Sequence, residues 1–197
     1  MIVIVDYGAG NLNSVRKAFD YLGAEVAVTT QPEVVATADK IVLPGVGHFS
    51  ELGGLDNTGL RDAVLQGARA GKPFLGICLG MQWLFEGSDE APEFVGAGIF
   101  AGRCQPFPSS VKSPHVGWNS LAVREGSKLL RNVAPDSFVY YTHSFQAPVV
   151  AATTALTEYG TQFSAAVERD NIFGVQFHPE KSSTVGLLIL KNFSEVE

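Results

Sequence analysis

The sequence predicts an α/β fold: a mostly parallel, doubly wound sheet flanked by helices, with an additional antiparallel β layer. Three observations carry that prediction. The N-terminal half alternates short β-branched or apolar runs with amphipathic stretches, the βαβ pattern of a parallel sheet. From about residue 94 to residue 173 the texture changes to short runs broken by Gly, Pro, Ser and Asn, as in antiparallel strands, and no linker separates the two textures. The 197 residues, 46% of them hydrophobic, suffice for one large core, so a single domain over 1–197 is expected.

Taken in order, Ile2-Val3-Ile4-Val5 reads as a buried first strand, followed by the loop Asp6-Tyr7-Gly8-Ala9-Gly10-Asn11. Leu12, Val15, Ala18, Phe19 and Leu22 recur at helical spacing, and Gly23 closes that helix. Residues 25–29 and 40–43 are a second and a third strand. Pro44-Gly45-Val46-Gly47-His48-Phe49 is a loop, and 55–70 a helix with Leu60, Ala63, Val64, Gly67 and Ala68 on one side. Gly71-Lys72-Pro73 turns the chain into Phe74-Leu75-Gly76-Ile77, a fourth strand, and the residues from Leu79 to Phe85 suit a mostly buried helix. Residues 86–92 form a polar loop. Antiparallel strands are expected at 99–107, 115–123, 138–146, 151–157, 164–168 and 172–175, with one helical turn at 127–131. A last helix spans 182–193, with Val185, Leu188, Ile189 and Phe193 facing inward.

The net charge of −6 is spread along the chain, and no basic tract points to nucleic acid or to an anionic membrane surface. The apolar start is too brief for a signal peptide and lacks a basic leader, and no apolar run is long enough to span a membrane. With only Cys78 and Cys104, a disulfide framework is not expected, which suits a reducing, cytoplasmic setting. Gly8-Ala9-Gly10 is not a dinucleotide fingerprint, because Asn13 stands where the third glycine belongs. His48, His115 and His143 lack metal-ligand spacing and are expected in structural or interface roles. No metal and no cofactor are expected.

The chemistry gathers at Gly76-Ile77-Cys78-Leu79-Gly80. A nucleophile between two glycines, at a strand-to-helix junction, is the nucleophile-elbow pattern with Cys in place of Ser. The turn lifts the thiol clear of the sheet edge, and the helix N-terminus behind it favours the thiolate. Taken alone, a Cys at the end of an apolar strand is more often a small buried hydrophobe than a nucleophile. Gly174-Val175-Gln176-Phe177-His178-Pro179-Glu180-Lys181 supplies what such a nucleophile needs. A strand ends at His178, Pro179 turns the chain, and Glu180 can fix the tautomer of the imidazole and stabilise its cation. Gly45, Val46 and Gly47 form a candidate oxyanion loop, or else an ordinary βα turn.

These two motifs resemble the class I (triad) glutamine amidotransferases, nearly end to end. Asp6 to Leu12, Pro44 to Phe49, Pro114 to Asn119 and Tyr140 to Phe145 narrow the resemblance to the glutaminase subunits of imidazole glycerol phosphate synthases. The resemblance implies a flavodoxin-like fold and hydrolysis of L-glutamine through a cysteinyl thioester, with Cys78, His178 and Glu180 as the triad. It places Gly47, Gln82, Ser144 and Phe145 against the substrate, the last where relatives often carry Tyr. It implies a heterodimer with a (β/α)8-barrel cyclase subunit that receives the ammonia, with Asn11, Trp118, Tyr140 and Lys181 facing it. Rival readings are a glutaminase of pyridoxal phosphate or purine synthesis, a stand-alone cysteine hydrolase, and a non-catalytic scaffold subunit.

Overall fold

The computed structural model describes residues 1–197. Its centre is a sheet whose parallel core runs β2 (Val26–Thr29), β1 (Ile2–Val5), β3 (Lys40–Gly45), β4 (Phe74–Cys78) and β13 (Ile172–Val175). This is the flavodoxin-like strand order with β13 as the fifth strand. The β-branched run of β1 is buried throughout, as a strand covered on both faces requires. One core gathers α1 (Leu12–Tyr21) and α6 (Ser183–Glu195) against one sheet face, with Phe19, Ile189 and Phe193 fully buried. A second core on the opposite face holds α2 (Pro32–Thr37), α3 (Gly53–Asn57), α4 (Leu60–Arg69) and α5 (Leu79–Trp83).

Several expected boundaries differ. Pro44 and Gly45 continue β3 and are not loop, because they pair in register with Ile77 and Cys78 of β4. The expected 55–70 helix is broken: Gly59 adopts φ +74 and separates α3 from α4. The α2 helix was not expected; it starts on Pro32, whose missing N–H costs nothing at a first helical position. Residues 127–131 form turns and no helix.

The remaining strands are β5 (Gly87–Ser88), β6 (Arg103–Pro106), β7 (His115–Ser120), β8 (Ala122–Val123), β9 (Phe138–His143), β10 (Phe145–Gln146), β11 (Thr153–Glu158) and β12 (Gln162–Arg169). The antiparallel component is present, but it does not all lie as a separate layer. β12, β11 and β8 continue the central sheet beyond β13. Only β7 with β9, and β10 with β6 and β5, form small separate sheets. Extending the sheet edge satisfies the free N–H and C=O groups of β13 that would otherwise be left open.

The elbow is the tightest junction in the fold. A Cβ at Gly80 would collide with the carbonyl oxygen of Leu43, and one at Gly76 with the carbonyl oxygen of Gly80. The obstacle is backbone in both cases, so relaxation must move α5 against β3 or β4. We expect Gly80→Ala to cost about 3 kcal/mol, a fall in Tm of roughly 6–12 °C for a chain of this size. Differential scanning calorimetry reads this directly, and an unchanged Tm rules out the close approach.

Candidate active site

Cys78 closes β4 with φ +53 and ψ −104, a backbone position that a non-glycine residue rarely holds. The strain is imposed on both sides, since β4 is locked between β3 and β13 and α5 starts at the next residue. Because α5 has only five residues, its dipole is short, and a cation elsewhere must do more to favour a thiolate.

That cation is on the neighbouring strand end. The β13 strand leads to His178, and Pro179 opens a 3-10 turn carrying Glu180 and Lys181. His178 Nδ1 and Glu180 Oε1 lie 2.9 Å apart, and both side chains are buried. The second Glu180 oxygen has no partner, so the buried carboxylate depends on the His178 proton. His178 Nε2 makes no hydrogen bond within the protein, and Cys78 is close enough to act on the charge of the ring. Burial works against the imidazolium, but Cys78 and Glu180 together outweigh it, and the His178 pKa is raised to about 10.

The sign follows. Since the folded-state value lies above the ordinary 6.5, the stabilisation from the charged pair is complete below about 6.5 and is lost as pH rises through about 10. We expect His178 to stay protonated at neutral pH and to lose part of its raised pKa in Cys78→Ala, where burial is opposed by Glu180 alone. An NMR titration of the imidazole measures both. A titration near 6.5 in the native protein contradicts the pairing.

Further polar groups converge on the sulfur. Gln176 Nε2 points at Cys78 Sγ from 3.8 Å, and Gln176 Oε1 accepts from Gln82 Nε2 at 3.2 Å. Gln82 Nε2 also donates to the Phe145 carbonyl at 2.9 Å. Ser182 Oγ accepts from Tyr140 N and donates to the His178 carbonyl, while His178 N donates to the Tyr140 carbonyl. Gln176 and Ser182 carry no signal of this role in the sequence, because their partners are 98 and 42 residues away.

A cavity of about 230 Å³ opens over Cys78, walled by Val46, Gly47, Gln82, His143, Ser144 and Phe145 among others. It is below the range usual for drug-sized ligands and suits a single amino acid. The Val46 and Gly47 N–H groups make no hydrogen bond within the protein. Gly47 sits at φ +110, with the Glu51 carboxylate packed so closely that a Cβ would stand 2.6 Å from it.

Of the residues expected to face a partner, Trp118, Tyr140 and Lys181 assemble. Trp118 is 52% exposed, its ring 6.1 Å from that of Tyr140, and Lys181 Nζ lies 6.0 Å over the Tyr140 ring. Asn11 precedes α1, which packs beside the turn carrying Lys181. His48 caps the 3-10 turn Phe49–Leu52 and stands apart from the cavity walls. Cys104 is buried, and burial pushes its thiol far up.

A family model described as "Glutamine amidotransferase class-I" matches residues 3–195. The chain is 46% identical to the imidazole glycerol phosphate synthase subunit HisH of Methanothermobacter thermautotrophicus, over 100% of this chain and 98% of that protein. It is 44% identical to the subunit of the same name from Deinococcus radiodurans, over 98% and 92% of the two chains. Among solved structures, one titled "Crystal structure of glutamine amidotransferase" superposes with a TM-score of 0.77 at 16% identity, covering 98% of this chain and 100% of that one. "Structure of PurLQS from Thermotoga maritima" gives 0.77 at 19% identity, over 98% and 96%. These two likenesses concern the fold.

Proposed function

The chain belongs to the class-I glutamine amidotransferases, and on that premise we propose that it hydrolyses L-glutamine to supply ammonia within an imidazole glycerol phosphate synthase. The observation that carries the reading is Cys78 on a strained strand end beside a buried His178–Glu180 pair, at the floor of an amino-acid-sized cavity. The Cys78 thiolate attacks the side-chain amide carbon of glutamine. Negative charge develops on the carbonyl oxygen, where the N–H of Leu79, first in α5, and an N–H of the Val46–Gly47 loop stabilise it. His178 gives its proton to the departing ammonia, leaving a glutamyl thioester on Cys78. His178 then takes a proton from water, which attacks the thioester and releases glutamate. Glu180 holds the imidazole through Nδ1 and balances its charge. Gln82, Ser144 and Phe145 border the amino acid end of glutamine.

Ammonia passes to a (β/α)8-barrel cyclase subunit, which makes imidazole glycerol phosphate and aminoimidazole carboxamide ribonucleotide. The exposed Trp118–Tyr140–Lys181 group and Asn11 form its docking face. This face communicates with the site by a short route, since Tyr140 is tied to His178 through Ser182. The whole chain acts as one domain, and its two free cysteines suit the reducing cytoplasm. Glutaminase activity measured with candidate acceptor subunits tests the assignment. The cyclase of imidazole glycerol phosphate synthase should bind and stimulate. Stimulation by an acceptor of pyridoxal phosphate or purine synthesis instead overturns it.

A further inference from the structure

Two buried histidines take no part in this mechanism. His115 and His143 face each other across the β7–β9 pair, 3% and 6% exposed. His115 lies between the rings of Tyr141 and Tyr159, stacked at 4.8 and 4.0 Å, and Phe107 packs edge-on to both imidazoles. An aliphatic or phenyl side chain would suit this aromatic surrounding better than an imidazole. What the imidazoles add is a directed hydrogen-bond chain.

The direction of that chain is fixed from both ends. At one end His143 Nδ1 meets the Phe145 carbonyl at 2.8 Å. A carbonyl only accepts, so Nδ1 carries the proton and His143 Nε2 must accept. His115 Nδ1, 3.1 Å from that Nε2, must therefore donate. At the other end, Asn119 Oδ1 accepts from Ser120 N and Asn119 Nδ2 donates to the Glu158 carbonyl, which sets the amide orientation. The remaining amide proton points to His115 Nε2 at 3.4 Å, so that nitrogen accepts. Both ends demand the same tautomer, with Nδ1 protonated on each ring. Burial lowers His115 to about 4, and burial with the neighbouring His115 and His178 lowers His143 to about 3, so both rings are neutral at physiological pH.

The chain ends on the Phe145 carbonyl, the same oxygen that accepts from Gln82. We infer that His115 and His143 are positioning residues for glutamine: a tautomer-locked imidazole pair that holds the Phe145 carbonyl, and with it Ser144 and Phe145, in the conformation that grips the substrate. Gln82 holds this oxygen from the nucleophile side and His143 from the β7–β9 side. Two donors fix a carbonyl in two directions, where one leaves it free to swing. The inference rests on the glutaminase reading above.

The test uses the complex with the cyclase subunit. His143→Leu should raise the KM for glutamine about tenfold, with kcat within about twofold, the mark of lost binding without lost chemistry. His143→Asn, which keeps a donor at the Nδ1 position, should restore KM to within about threefold of the native value. His115→Phe keeps the stacking on Tyr141 and Tyr159, so it tests the relay should His143→Leu fail to fold; its KM should rise at least threefold. Ammonia-dependent synthesis should be unchanged in all three. Nitrogen NMR of the native protein should find both rings neutral and protonated on Nδ1 at pH 7. A native KM in His115→Phe, an Asn variant no better than Leu, or an Nε2–H tautomer on either ring overturns the inference. Failure of the glutaminase reading is a different result: Cys78→Ala would then still use glutamine.

Discussion

Replacing Cys78 with Ala is expected to abolish glutamine-dependent synthesis, by at least about 10⁴-fold, while synthesis from added ammonia stays within about twofold of native. The substitution removes one buried sulfur atom and nothing that supports the sheet. Ala tolerates the strained backbone about as well as Cys, and the β3–β4–β13 register that fixes the elbow is unaffected. On the proposed reading, the acceptor site lies in the partner subunit and can take ammonia from solution without needing this cavity. Glutamine, by contrast, then has no nucleophile, because no other thiol reaches the cavity: Cys104 is fully buried elsewhere in the second core. A parallel assay with glutamine and with ammonium salt separates the two outcomes. Retained glutamine use removes Cys78 from the mechanism.

Much of the fold was legible because its signals are local. The parallel strands announce themselves as short apolar runs, and α1 and α6 by their spacing of buried residues. What was missed depends on distant partners or on very short elements. β3 runs on through Pro44 and Gly45 only because Ile77 and Cys78 pair with them. α2 spans less than two turns, too few residues for a period to emerge, although Pro32 at its start was a usable sign. Gly59 was an available sign of the break between α3 and α4, but a helical pattern on both sides concealed it. In the candidate site, the Cys78 elbow and the His178–Glu180 pair were each readable because each motif lies within a few residues. The Gln82–Gln176 link and the His115–His143 pair were not, because they are made by chain segments that meet only after folding.

The resting chain is expected to hydrolyse glutamine about 10²–10³-fold more slowly than the complex carrying its nucleotide ligand, the usual worth of one oxyanion donor. The reason lies in the loop after β3. Gly45 is held in register beside Cys78, so the loop starts at a fixed point against the nucleophile. Gly47 takes φ +110 with the Glu51 carboxylate packed against it, an unfavourable neighbour for a developing negative charge. Between them stands Val46, whose branched side chain resists the left-handed backbone that a turned-over peptide needs. We propose that docking of the cyclase and its ligand favours that turned-over peptide and brings the missing N–H to the oxyanion. Val46→Gly should then relieve the resistance and raise the rate of the isolated chain about tenfold, with little gain in the complex, where the peptide is already turned. Single-turnover glutaminase rates for both proteins, alone and in complex, decide it. Equal rates for the isolated native chain and the liganded complex defeat the proposal, as does a Val46→Gly chain that remains as slow as native. The two measurements together locate the control in one peptide, since a partner that merely improved glutamine binding would shift KM and leave the Val46 variant unchanged.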